Sequence, residues 1–337
     1  MARLTIAEAL RQAIREEMRR DPRVFCLGED IGIPGGFGGA FTVTLGLSDE
    51  FGHERILDTP ISEEGLVGLA IGAAMAGLRP IADVQYGDFL FNAMDQVVNQ
   101  AAKMTYMSGG TVKVPLVLRV PVGATGRGAQ HAQSLEAFFT HVPGLKVVAP
   151  STAYDAKGLL KSAVRDDNPV LVFEHKLLYG SKGPRAERGA LSPVGEVPDE
   201  EYLVPIGQGV IRRPGRDVTL VGKLLTVYRA LEAADRLAQE GIEAEVIDPR
   251  TLVPLDKELI LESVRKTGRL VIVEEDNRTG GWAAELAATV AEEAFDWLDA
   301  PVRRVSAPDT PPPFAPVMEQ FYVPGVEQVI KAVHSLL

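Results

Sequence analysis

Along almost the whole chain, short apolar runs alternate with segments of helical periodicity, and this alternation restricts the fold more than any other feature. In the first half the runs Val24–Gly28, Pro80–Gln85, Pro115–Val122, Leu145–Pro150 and Val170–Glu174 read as strands. Helical patterns cover Ala7–Arg20, Glu63–Ala76, Phe91–Tyr106, Leu135–His141 and Tyr154–Arg165. Strands that alternate with helices imply a parallel sheet covered on both faces. The pattern lapses between Lys176 and Val210 into Gly, Pro and charge, then resumes. Strands are expected at Asp217–Val221, Glu243–Ile247, Arg269–Glu274 and Val302–Val305, with helices Val227–Gln239, Lys257–Thr267 and Trp282–Phe295 between them. The expectation is two α/β domains, 1–180 and 210–337, joined by a linker over 181–209. Pro308-Asp309-Thr310-Pro311-Pro312-Pro313-Phe314 cannot be helical and reads as a surface or subunit-contact segment before a closing helix from about Val326.

Composition removes several classes. The chain has 337 residues with 35 basic and 46 acidic side chains, a formal charge of −11, so no nucleic-acid footprint is expected. Cys26 is the sole cysteine, and His53, His131, His141, His175 and His334 never approach zinc-ligand spacing. Thr5-Ile6-Ala7-Glu8 is a capping pattern leading straight into the first helix, with no targeting segment expected before it. The most apolar stretch, Gly65 to Gly77, falls short of the ~20 residues a membrane helix needs. A cytoplasmic chain without membrane contact is the expectation.

Two segments stand out as chemistry-bearing. In Asp58-Thr59-Pro60-Ile61-Ser62-Glu63-Glu64-Gly65, Pro60 enforces an extended approach, Ser62 is a natural N-cap, and two carboxylates fall in the first turn. Acids there also simply complement a helix dipole. The helix behind them has no polar face after Glu64, which predicts burial all round and a desolvated carboxylate at its mouth. His131 lies in Gly126-Arg127-Gly128-Ala129-Gln130-His131-Ala132-Gln133-Ser134, after a predicted strand and before a helix. Loops at the carboxyl ends of parallel strands are where open α/β sheets bind ligands. The alternative is a solvated or structurally bonded histidine. Nucleotide-binding glycine motifs, a zinc-protease motif and a nucleophile elbow are all absent.

Several motifs, in order, resemble the β subunit of the decarboxylating first component of 2-oxo acid dehydrogenase complexes, a group that includes pyruvate, branched-chain and acetoin dehydrogenases. They are Asp58-Thr59-Pro60-Ile61-Ser62-Glu63, Ala74-Met75-Ala76-Gly77-Leu78-Arg79-Pro80, Met107-Ser108-Gly109-Gly110, Gln130-His131-Ala132-Gln133-Ser134, Pro143-Gly144-Leu145-Lys146-Val147-Val148, Asp155-Ala156-Lys157-Gly158-Leu159-Leu160 and Asp248-Pro249-Arg250-Thr251-Leu252. The resemblance runs from about Thr5 to the C-terminal helix. It implies a transketolase-like fold, with a pyrimidine-binding domain followed by a transketolase C-terminal domain.

It also implies a shared site. Thiamine diphosphate then lies between this chain and an α subunit, two of each being expected, and the α subunit's Gly-Asp-Gly motif holds magnesium and the diphosphate. This chain contains no Gly-Asp-Gly. By resemblance Glu63 bonds N1′ of the aminopyrimidine and supports its imino tautomer, Ile61 meets the same ring through its main chain, and Gln85 and Phe89 line the pocket. Phe89 stands where some branched-chain members have Tyr, so that hydroxyl is lost. His131 is placed near the reacting carbon, handling substrate or the lipoyl group; Ala132 replaces the usual serine of that motif. A potassium ion is implied against main-chain carbonyls at Leu116, Val117, Ala163, Asp166 and Asn168, although Asp166-Asp167-Asn168-Pro169 also reads as an ordinary helix-ending turn. The activity implied is oxidative decarboxylation of a small 2-oxo acid, pyruvate or branched-chain, with acyl transfer to lipoyl-lysine of an acyltransferase component. The alternatives are acetoin cleavage and a noncatalytic assembly subunit.

Overall fold

The structure, a computed structural model, describes residues 1–33, 35–181, 187 and 189–337. Strand β1 (Ala2–Thr5) leads into helix α1 (Ile6–Arg20), whose start is set by a complete capping box. The Thr5 hydroxyl accepts from the Glu8 N–H, and the Glu8 carboxylate accepts from the Thr5 N–H. Next come β2 (Val24–Gly28), α2 (Leu47–Phe51), β3 (Ile56–Asp58), α3 (Glu63–Met75) and β4 (Arg79–Asp83). A 3-10 segment (Gly87–Ala93) and a π-helical segment (Gln96–Ala101) precede α4 (Ala102–Met107), followed by β5 (Val117–Val122), α5 (Glu136–Thr140), β6 (Lys146–Val148), α6 (Ala153–Arg165) and β7 (Val170–His175). The C-terminal half comprises β8 (Val194–Val197), β9 (Val210–Arg213), β10 (Val218–Gly222), α7 (Leu225–Gln239), β11 (Ala244–Asp248) and β12 (Thr251–Val253), then α8 (Lys257–Thr267), β13 (Leu270–Asn277), α9 (Trp282–Glu293), β14 (Arg303–Ala307), α10 (Pro316–Tyr322) and α11 (Val326–His334).

The strands form two large sheets. One has seven strands in the order β12-β6-β7-β5-β4-β2-β3, parallel except where β12 meets β6. The other has five in the order β14-β13-β10-β11-β9, parallel except for β9 against β11. Every residue of β5, β7, β10 and β11 is buried, as expected for parallel strands covered on both faces. One apolar cluster runs from Leu118 and Phe173 in the first sheet to Val221 and Ile247 in the second and Trp282 on α9, so the two halves share a core. No helix among the described residues is long and apolar enough to cross a membrane.

Three local expectations change. First, α3 is not buried all round: Leu66, Val67, Ala70, Ile71 and Ala74 are buried, but Gly65, Leu69, Gly72 and Met75 form an open face. A helix without a polar face reports that no side was kept for water, and this chain covers only one side. Glu63 is accordingly half-buried rather than desolvated, and the Ser62 hydroxyl makes no capping bond.

Second, the helix expected over Phe91–Tyr106 is divided into three. The side-chain amides of Asn99 and Gln100 both donate to the Asp95 carboxylate just before the π-helical segment, at 2.7 and 3.3 Å.

Third, strands occur where the pattern showed none. Within the expected linker, β8 pairs antiparallel with β1, and Val204 packs into the core beside α6. Residues 182–186 and 188 of that segment lie outside the described residues. Strand β12 crosses to the edge of the first sheet, pairing Thr251 with Val148.

Candidate active site

Strands β5 and β7 lie side by side in parallel register, so their carboxyl ends open onto one rim. Gly123 follows β5 at φ +95, and a Cβ there would stand 2.0 Å from Nε2 of His175. Only glycine lets the chain turn so close to the end of β7. The loop that follows brings His131 back over the rim and is closed by the Gly123 N–H donating to the Gln133 carbonyl at 3.2 Å. The Gln133 amide in turn donates to Asp88 at 2.7 Å.

The His131 imidazole stands between two aromatic rings. Its centroid lies 5.2 Å from that of Tyr86 and 5.3 Å from that of Phe89, with interplanar angles of 81° and 83°. Edge-to-face contacts of this kind hold a ring's plane as well as its position. Beyond the ring a cavity of about 640 Å³ is lined by Thr125, Gly126, Arg127, His131, Glu187, Phe314 and Pro316. Arg127 is paired with Glu187 at 2.7 Å and lies over the Tyr86 ring.

Glu63 begins α3, and its carboxylate accepts from the Asn92 amide at 3.4 Å. Asn92 and Phe89 belong to the same 3-10 segment. This one element therefore links Glu63 to His131, which the sequence leaves far apart. Gln85, just before the segment, donates to the Glu29 carbonyl at 3.3 Å and to Asp30 at 3.4 Å. Burial pushes the Glu29 carboxyl up, with Glu63, Asp30 and Asp83 adding to the effect. Ile61 is 83 % exposed, so the side of the site formed by Ile61 and the open face of α3 has no cover among the described residues.

The five residues expected around potassium lie at the start of β5 and at the end of α6. Val170 N–H donates to the Leu116 carbonyl, Asp166 N–H to that of Ala163, and Arg79 donates to the carbonyls of Val164 and Asp166. Asn168 donates to the Asp166 carboxylate at 3.0 Å, and Lys146 is bonded to the same group. Val117 lies beside Leu116, in the ladder with Ile81 and Val170. Each carbonyl engaged once keeps a second lone pair, which suits a hard cation. No cluster of His, Cys, Asp and Glu suited to a metal occurs among the described residues.

The transketolase pyrimidine-binding domain family matches residues 2–182, and the transketolase C-terminal domain family matches residues 207–329. The chain is 46% identical over 338 residues to the 2-oxoisovalerate dehydrogenase subunit beta of Bacillus subtilis, covering 100% of this chain and 99% of the other. It is 48% identical over 334 residues to the pyruvate dehydrogenase E1 component subunit beta of Rickettsia felis, covering 99% and 98%. The acetoin:2,6-dichlorophenolindophenol oxidoreductase subunit beta of Cupriavidus necator is 48% identical over 346 residues, with coverage of 100% and 98%. The chain belongs to the β subunits of 2-oxo acid dehydrogenase first components. A split-gene transketolase solved as an inactive β4 tetramer shares the fold, with a TM-score of 0.78 at 25% identity over 100% of this chain and 99% of that one.

Four further residues of this β subunit, at the rim or in the strands behind it, were not legible in its sequence. Tyr86 adjoins Gln85 and carries no motif signal. Lys176 and Glu275 lie at or near strand ends in the two halves, in polar stretches that read as ordinary ends of the apolar runs Val170–Phe173 and Leu270–Val273. Arg119 is the clearest case: it interrupts Val117-Leu118-Arg119-Val120 in a fully buried strand. It pairs with Asp83 on β4 and donates to both Glu174 oxygens on β7, at 3.0 and 2.7 Å. The Tyr179 hydroxyl donates to Glu174 as well.

Proposed function

We propose that this chain works with an α subunit, two of each in the assembly, to decarboxylate a 2-oxo acid oxidatively on thiamine diphosphate. The acyl group then passes to lipoyl-lysine of an acyltransferase component. What carries this reading is the 3-10 segment Gly87–Ala93, which joins Glu63 and His131 into one rim beside the uncovered face of α3. The residues present fit the aminopyrimidine end of the cofactor: a carboxylate at a helix start, an aromatic wall and an apolar margin at Ile61. When bound, thiamine diphosphate supplies the carbon nucleophile that attacks the 2-oxo carbonyl and stabilises the negative charge left by loss of carbon dioxide.

The chain's own residues act around that chemistry. Glu63 accepts the hydrogen bond at N1′ and holds or releases a proton there. Phe89, Gln85 and the Ile61 main chain orient the ring, and Tyr86 and Phe89 keep the His131 imidazole in place for proton transfer to substrate or the opening dithiolane. Magnesium and the diphosphate fall to the α subunit, as the absence of Gly-Asp-Gly supports. Potassium is assigned to Leu116, Val117, Ala163, Asp166 and Asn168, where it would tie the end of α6 to β5. The working division is a pyrimidine-binding domain over 1–180, a connecting segment over 181–209 and a C-terminal domain over 210–337.

The test is co-expression with the α subunit and turnover on pyruvate, branched 2-oxo acids and acetoin, beside the β chain alone. Activity on a 2-oxo acid only in the assembled pair is expected. Tight calorimetric binding of thiamine diphosphate by the isolated chain would overturn the shared site, and turnover of acetoin alone would reassign the substrate.

A further inference from the structure

A lysine ammonium normally stays in water, but that of Lys176 does not. Lys176 is 1 % exposed, and its Nζ donates to the main-chain carbonyl of His131. The same Nζ lies 5.1 Å from the centroid of the Tyr86 ring, and Tyr86 is one of the two rings that enclose the imidazole. One buried cation thus touches both the peptide that bears His131 and a wall of its cleft. Burial pushes the Lys176 ammonium down to about 8, against the opposing pull of Asp88, Glu275 and Glu187, while Arg127 adds to the lowering.

The position of Lys176 is itself set from the C-terminal half. Glu275 on β13 bonds Nε2 of His175 at 2.8 Å and accepts the Ala124 N–H at 2.7 Å. Nδ1 of His175 accepts from the Leu177 N–H at 3.2 Å, which leaves Nε2 as the donor to Glu275. Both ends of this turn are therefore held: His175 and Leu177 flank Lys176, and Ala124 opens the loop that carries His131. Burial pushes Glu275 up, but His175 and the Ala124 N–H outweigh it and hold the carboxyl below its ordinary value. A carboxylate serves as the acceptor at this junction.

We propose that Lys176 is a positioning residue for His131, fixing the peptide that bears the imidazole so that the ring keeps its reactive placement between Tyr86 and Phe89. This rests on the catalytic reading of His131 and names the group through which the fold enforces it. The enthalpy of the bond is secondary to its direction. Without the ammonium, the carbonyl of His131 loses this buried donor and the peptide is free to rotate, and displacement of a reacting group by about 1 Å costs up to ~100-fold in rate.

The experiment uses the assembled complex with the α subunit and compares Lys176→Met, His131→Ala and the double variant, with lipoyl-dependent turnover as the readout. Lys176→Met should lower kcat by ~10- to 100-fold while KM for the 2-oxo acid stays within ~2-fold. The double variant should be no slower than His131→Ala. Lys176→Arg, which restores a donor, should recover part of the rate. Full activity of Lys176→Met overturns the inference and leaves His131 untouched. A further slowing of the His131→Ala background by the same factor also overturns it, because Lys176 then acts independently. If His131→Ala is fully active, the catalytic reading itself falls, and the positioning role falls with it. Should Lys176→Met fail to assemble, Lys176→Gln, with a shorter donor, takes its place under the same outcomes.

Discussion

The Phe89 ring meets the His131 imidazole edge to face, with centroids 5.3 Å apart and planes at 83°. Phe89 lies one turn before Asn92, whose amide reaches Glu63. Both proposed catalytic side chains therefore contact a single short element, and the two are expected to respond differently to substitution because they serve different steps.

His131→Ala should impair reductive acylation of the lipoyl group more than decarboxylation measured with an artificial electron acceptor. On the proposed reading the imidazole protonates the opening dithiolane, a task absent from the second assay. Single-turnover rates for both half-reactions check this; equal losses would move His131 to an earlier, shared step.

Glu63→Gln keeps the shape of the side chain and its contact with Asn92 but removes the charge. Turnover of the assembled complex should fall ~100- to 10,000-fold, the usual cost of losing a positioned acid–base group. Gel filtration should still show the complex. Near-wild-type turnover would remove Glu63 from the chemistry.

Arg119→Met leaves Asp83 and Glu174 facing each other in a sheet interior with no cation between them. Burial already pushes the Glu174 carboxyl up despite Arg119. Removing one partner of a buried ion pair typically costs roughly 3–5 kcal/mol. Urea denaturation at neutral pH should show a loss of that order, and an unchanged midpoint would mean that water replaces the guanidinium.

Glu201 offers a test by pH. Its carboxyl is bonded to Lys161 and Arg165, which draw it down to about 2 from 4.5. A carboxyl lowered in the folded state adds stability above its unfolded value and loses it as pH falls through the folded one. The Tm gap between wild type and Glu201→Gln should be fully present above pH 4.5 and close as pH falls toward 2. A gap that stays constant would show that the pairs contribute nothing electrostatic.

What was legible in the sequence was local. The capping box at Thr5 and Glu8, the start of α3 at Glu63 and the loop position of His131 all depend on residues a few places apart, and each is found where the pattern placed it. Strand and helix alternation fixed the class of fold for the same reason, since periodicity is a property of neighbours. The motifs around Glu63 and His131 carried the family.

Contacts between distant segments were left to the tertiary structure. Three residues, Thr251–Val253, are too short to signal a strand, and β12 exists because the exposed edge of β6 supplies its hydrogen bonds. Arg119 is tolerated in a buried strand only because β4 and β7 bring Asp83 and Glu174 alongside it. Lys176 reads in sequence as an ordinary surface lysine, and the fold turns it inward onto His131. The apolar character of α3 could be read from its residues, but which side would be covered was decided by packing: the interior takes Leu66, Val67 and Ala70, and leaves Leu69 and Met75 exposed among the described residues.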